Sequence, residues 1–179
     1  MTFTNLKTLT LSVAVFTALS GSAMANDMIN NSASGYVGGD IAQNALAGNA
    51  ELNIEVGSIR AEQAINNSAS GYVGGDIFQE YHGDGNVLDV RVGSINAEQA
   101  QNNSAEGYVG GDLVQFAYGN NVELRAEVGS IGGSALHSPG PGDRAFNNRA
   151  FGYVGGDFIQ EAAEHSRVRA TIGSISSKY

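Results

Sequence analysis

Asn30-Asn31-Ser32-Ala33-Ser34-Gly35-Tyr36-Val37-Gly38-Gly39-Asp40-Ile41 returns unchanged at residues 66–77 and, lightly edited, at 102–113 and 147–158. A second phrase, Val56-Gly57-Ser58-Ile59, recurs at 92–95 and 128–131 and as Ile172-Gly173-Ser174-Ile175. Copies of the first phrase are 36, 36 and then 45 residues apart, so the last step carries a nine-residue insertion. A period of this length marks units that stack, because one unit alone cannot bury its apolar face. The chain divides into a segment 26–29 and repeats at 30–65, 66–101, 102–146 and 147–179. The third repeat holds a Gly/Pro-rich insertion at 132–142, and the fourth is shortened.

Residues 1–25 read as a secretory signal peptide, with Lys7, an apolar stretch over 9–19 and the small-x-small site Ala23-Met24-Ala25. Cleavage after Ala25 leaves a chain starting at Asn26, with eight basic against 18 acidic side chains and a formal charge of −10. So acidic a chain, with no basic stripe, is not expected to bind nucleic acid or to insert into a membrane. Export permits disulfides, yet there is no cysteine, so packing and backbone ladders must hold the fold.

The first two repeats share 22 of 36 residues, and 12 of their 14 differences fall between the two phrases. Gly83-Asp84-Gly85-Asn86 and Gly119-Asn120-Asn121 read as turns there. Beside them Leu52, Ile54 and Val56 alternate with Glu51, Asn53 and Glu55, and residues 88–92, 124–128 and 168–172 do the same, which is the period of a half-buried strand. Tyr36-Val37 and the run from Ile41 supply two more strands around Gly38-Gly39. Val-Gly-Gly-Asp-Ile and Val-Gly-Ser-Ile are alike and half a repeat apart, so each unit reads as two strand–arc–strand halves. Glycine in every motif opposes helix by about 1 kcal/mol per residue. The expected fold is all-β, a β-solenoid or cross-β stack of four imperfect repeats.

Stacking in register turns each position into a column. Tyr36, Tyr72, Tyr108 and Tyr153 form one, and Ile41, Ile77, Leu113 and Phe158 another. Gln43, Gln79, Gln115 and Gln160 make a third, and Asn31, Asn67, Asn103 and Asn148 a fourth. Amide and aromatic ladders stabilise cross-β stacks and monomeric repeat proteins alike, so these are the candidate assembly residues. Glu55, Arg91 and Glu127 alternate in sign, as stacking within one chain requires. Asp40, Asp76, Asp112 and Asp157 instead set like charges at about 5 Å, which costs nearly 1 kcal/mol per pair even in water. They must face solvent at the arc, be neutralised, or bind a cation such as calcium. Calcium-binding solenoids repeat Gly-Gly-x-Gly-x-Asp every nine residues, whereas Gly-Gly-Asp returns here every 36, which favours an exposed turn carboxylate. His82, His137 and His165 share no column, and neither a phosphate loop nor zinc-ligand spacing is present, so no catalytic role or cofactor is expected.

The pattern Asn-Ser-Ala-x-Gly-x-Val-Gly-Gly-Asp-x-x-Gln over 67–79, behind a signal peptide, resembles the bacterial functional amyloids, the curli subunits and the Fap-type subunits of biofilm fibres. The repeat length is closer to the Fap type. This resemblance implies passage through the periplasm and an outer-membrane pore, nucleated growth at the cell surface, and a homopolymer used for biofilm matrix or adhesion. A monomeric β-solenoid adhesin or ligand-binding module is the alternative, its cap being the insertion or the tail 176–179. A small outer-membrane β-barrel is a third, since 154 residues could supply eight strands.

Overall fold

The computed structural model describes residues 23–45, 51–85, 87–132 and 144–176. Most of the signal-peptide reading, most of the insertion with Pro139 and Pro141, and residues 177–179 of the tail lie outside the described residues. One 36-residue repeat makes one complete coil of four strands. The first coil runs through β2 (Ser32–Val37), β3 (Ile41–Ala45), β4 (Glu51–Val56) and β5 (Ile59–Ile65). The second comprises β6 (Ser68–Val73), β7 (Ile77–His82), β8 (Val87–Val92) and β9 (Ile95–Gln101). In the third, β10 (Ser104–Val109), β11 (Leu113–Tyr118) and β12 (Glu123–Val128) lead to a fourth side split into β13 (Ile131–Gly132) and β14 (Arg144–Phe146), the insertion lying between. The last coil is β15 (Arg149–Val154), β16 (Phe158–Ala162), β17 (Arg167–Ile172) and β18 (Ile175–Ser176). Ahead of all four, β1 (Ala23–Ile29) adds a strand to the fourth side, so Ala23–Ala25 of the expected leader and the segment 26–29 are part of the sheet.

Like sides of successive coils pair in parallel, giving four sheets: β2-β6-β10-β15, β3-β7-β11-β16, β4-β8-β12-β17, and β1-β5-β9-β13-β18 with β14 also on β9. Register follows the repeat, Tyr36 lying on Tyr72 and Leu52 on Leu88. The shorter turn of the last repeat is absorbed between Ala162 and Arg167, where the pairing offset drops from 45 to 44 residues. This is a β-solenoid, and its parallel ladders rule out the small outer-membrane barrel, whose strands are antiparallel.

The two halves of a repeat do each hold a strand–arc–strand, but their corners differ. In the Val-Gly-Ser corner, Gly57, Gly93, Gly129 and Gly173 have φ of 57–59°, while the Gly-Gly-Asp corner needs no positive φ. A third corner is turned by Asn30, Asn66, Asn102 and Asn147 at φ of 52–57°, a conformation asparagine tolerates better than other residues with a side chain. The Val-Gly-Ser corner is pushed inward until it touches the first side. A Cβ on Gly107 would lie 2.3 Å from both Gly129 N and Val92 O. The interior is thereby divided. Ala33, Ala69, Ala105, Ile59, Ile95 and Ile131 fill one lobe, and Val56, Val92, Val128, Ile77 and Leu113 fill the other. Leu52, Tyr81, Leu88 and Leu124 close the far end of the second lobe.

Gly107→Ala should therefore cost about 3 kcal/mol or more, because backbone and not a flexible side chain must yield. Gly85→Asn, at φ 73° with nothing within 4 Å, should cost less than about 1 kcal/mol. Denaturant midpoints of the two variants check the pair.

Candidate functional site: self-stacked ladders and a charged groove

Each column read from the sequence is in register, and three of the four polar ones turn out to be hydrogen-bonded ladders. On the outer face of the first side, Tyr36, Tyr72, Tyr108 and Tyr153 stack with ring centroids 5.0, 4.8 and 4.9 Å apart and planes within 14°. On the inner face of the second side, Gln79 Nε2 donates to Gln43 Oε1 at 2.8 Å and Gln115 Nε2 to Gln79 Oε1 at 2.7 Å, with Gln160 donating to Gln115 in turn. The same amides tie the second side to the third. Gln79 Nε2 also reaches Leu52 O at 2.9 Å and Gln115 Nε2 reaches Arg125 O at 2.9 Å. Gln79 and Gln115 are fully buried, so these bonds are what make burying an amide tolerable.

The asparagine ladder satisfies corner backbone. Asn31, Asn67 and Asn103 donate their N–H to Oδ1 of the next copy at 2.7, 2.8 and 2.9 Å, while Asn67, Asn103 and Asn148 return Nδ2 to Met28 O, Ala64 O and Ala100 O. The aspartates sit at the surface as expected, but each is held. The N–H groups of Asp76, Asp112 and Asp157 donate to Oδ1 of Asp40, Asp76 and Asp112 at 2.9, 2.8 and 2.7 Å. A charge-assisted bond of this kind contributes more than the neutral average and offsets the repulsion along the column. Among the described residues no group of three or more His, Asp or Glu is gathered to hold a metal ion. His82 stacks on Tyr118 and pairs with Glu80, and His137 lies outside the described residues.

Two features escaped the sequence. Ser58 Oγ accepts Ser94 N–H at 3.1 Å and Ser94 Oγ accepts Ser130 N–H at 3.3 Å, a ladder visible only as the serine of Val-Gly-Ser-Ile. The second is that outward residues of the third side are buried. The inward corner folds the outer faces of the third and fourth sides toward each other, and Asp89, Arg91, Arg125 and Glu127 are at most 9% exposed. Arg91 bonds all three neighbouring carboxylates: Asp89 at 2.7 Å, Glu55 at 3.1 Å and Glu127 at 3.2 Å. Arg60 spans the groove to Glu55 and Asp89, Asn96 reaches Glu127, and Arg125 is engaged by Glu123. The sign alternation of Glu55, Arg91 and Glu127 is therefore realised, and Asp89, which lies beside Arg125 in the register, is bonded by Arg91 and Arg60.

Three carboxylates thus share the guanidiniums of Arg91, which is buried, and Arg60, which is part-exposed, and Asp89 Oδ1 has no hydrogen-bond partner. Burial first, and then the nearby Glu127, raise the Asp89 carboxyl to about 7, against the pull of Arg60 and Arg125. Burial also raises Glu127.

The two ends of the stack differ. In the first coil Leu52, Val56 and Ile59 are 4%, 4% and 0% exposed, while Val168, Ile172 and Ile175 of the same columns in the last coil are 53%, 39% and 44% exposed. Among the described residues no coil covers the last one. Comparisons with family models, curated proteins and solved structures return no match. No helix among the described residues is long and apolar enough to cross a membrane.

Two outcomes follow from this geometry. Gln115→Ala leaves Gln79 Oε1 and two carbonyls of the third side without their donor, and should cost at least about 2–3 kcal/mol in chemical denaturation. Because the folded chain holds the Asp89 proton more tightly than the unfolded chain does, stability should fall as pH rises from about 4 through about 7, by up to about 4 kcal/mol from this group. Glu127 adds in the same direction. Midpoints measured from pH 4.5 to 8 should show that slope, and Asp89→Asn should flatten it.

Proposed function

We propose that this protein is a secreted structural subunit whose coils continue from chain to chain into an extracellular fibre, serving biofilm matrix or surface attachment. The observation that carries this is the last coil, which no described coil covers: its apolar interior residues are exposed, and its Tyr, Gln and Asp ladders stop at a face built like every internal layer. Exposed apolar surface on an unpaired sheet edge is a template for another strand, and capping is what isolated solenoids use against it. The signal peptide and the resemblance to curli and Fap-type subunits support export through an outer-membrane pore, with a nucleator as a further partner. No substrate or cofactor enters this function.

A monomeric solenoid adhesin is the second reading. The low exposure of Leu52, Val56 and Ile59 favours it, since one end is already closed.

The purified chain from Asn26, diluted from denaturant to micromolar concentration, should form seedable filaments within a day. Their diffraction should show a meridional reflection near 4.7–4.8 Å. A cooperatively folding species that stays monomeric under the same conditions would instead favour the adhesin.

A further inference from the structure

Gly39 is a glycine that its own fold does not require. At the same place in later coils, a Cβ on Gly75, Gly111 or Gly156 would lie 2.0, 1.8 or 1.9 Å from Oδ1 of Asp40, Asp76 or Asp112 in the coil before. At Gly39 nothing lies within 4 Å, and its φ is not in the left-handed region. A glycine is needed there only where the aspartate of another coil precedes it. Asp157 is the aspartate that no described coil follows.

The strands of the fourth side make an independent case. Asp27, Gln63, Gln99 and Arg144 form one column, Met28, Ala64, Ala100 and Ala145 the next, and Ile29, Ile65, Gln101 and Phe146 a third. These begin in β1, one coil early, and end at β14, which pairs with β9 alone. In the chain that starts at Asn26, the column Ile59, Ile95, Ile131 and Ile175 begins and ends one coil later, since its β1 partner Ala23 belongs to the leader. One end therefore carries half a strand beyond its first coil. The other end, among the described residues, leaves the edge of β14 without that half. A displacement of four coils brings the two together with neither gap nor overlap.

We infer that copies join head to tail in the register of the internal coils, the first coil of one chain following the last coil of another, with its β1 on the free edge of β14. This rests on the fibre reading and specifies its joint. Every ladder then continues with donor facing acceptor. Asp40 N–H of the incoming copy meets the Asp157 carboxylate, its Gln43 Nε2 meets Gln160 Oε1, and its Asn31 Oδ1 meets Asn148 N–H. Tyr36 lands on Tyr153, Glu51 lies opposite Arg167, and Leu52, Val56 and Ile59 cover Val168, Ile172 and Ile175.

The same register gives the leader a second consequence. Ala23 and Met24 occupy the columns of Ile59 and Arg60, where Ile175 and Ser176 of the preceding copy would sit. A chain retaining them cannot make this joint, and cleavage after Ala25 removes them. Leader removal thus opens the assembly face.

The test uses Gly39→Ala and a Tyr36→Cys/Tyr153→Cys chain, which is free of other thiols. Gly39→Ala should keep the parental denaturation midpoint yet slow seeded elongation at least tenfold. Within one copy positions 36 and 153 are three ladder steps apart, beyond the roughly 4.4–6.8 Å Cα spacing a disulfide spans. Oxidised filaments of the double variant should therefore give a long series of covalent oligomers on a denaturing gel. Each single variant should give dimers at most, and a chain retaining residues 1–25 only monomers. Filaments that form normally, with Gly39→Ala elongating at the parental rate and no oligomer series, would overturn the joint and leave the fibre standing. Failure of the parental chain to form filaments at all would overturn both. If Gly39→Ala shifts the midpoint, the cysteine series alone decides.

Discussion

In-register parallel pairing between coils is the constraint on which the rest depends. Each backbone N–H is spent on the coil beside it, so almost every residue lies about 4.8 Å from its own counterpart. A side chain is acceptable only when it can stand on a copy of itself. Aliphatic residues do so by packing, and the tyrosines do so by stacking face over face. Glutamine and asparagine manage it because an amide is both donor and acceptor. Variation is confined to corners where no such copy has to be met, and the insertion in the third coil falls between β13 and β14 without altering the register of the strands on either side.

Carboxylates have no donor of their own, and the chain handles them in two ways. At the Gly-Gly arc Asp40, Asp76 and Asp112 each accept a backbone N–H from the following coil, and water screens the remainder. The missing Cβ of the second glycine makes room for that oxygen, so glycine and aspartate form one device. In the groove, stacking like on like would bury equal charges together, and the column alternates instead, Arg91 lying between Glu55 and Glu127. Asp89 is buried there beside Glu127, and burial first and that like charge second make protonation favour the folded chain.

The fold was legible to the extent that repetition made it so. Exact recurrence sets the register, and register alone generates the Tyr, Gln, Asn and Asp columns. What stayed hidden was the cross-section. Ile59-Arg60-Ala61-Glu62-Gln63-Ala64-Ile65 does not alternate, so only the likeness of the two halves marks the fourth side as a strand, and its own period leaves open which residues face inward. The contact between Gly57 and the first side joins residues whose glycines looked like independent arcs. The groove depends on that contact, and alternation by itself assigns a residue pointing out of a sheet to solvent. Periodicity tells inside from outside for one strand, and cannot say that two outer faces meet.

The ladders also give the stack a direction. Along the aspartate column, N–H donors point back toward the preceding coil and carboxylates toward the following one, while the asparagine column runs the opposite way. The last coil therefore presents the Asp157 carboxylate and the Asn148 N–H, and the first presents the complements of both. Two last coils face to face would oppose carboxylate to carboxylate and reverse the strand direction. Two first coils would oppose donor to donor at Asp40. Only head-to-tail addition matches both columns at once, so the proposed joint would build an open polar filament and not a closed dimer. Polarity follows from the direction of two rows of hydrogen bonds, already present within a single chain.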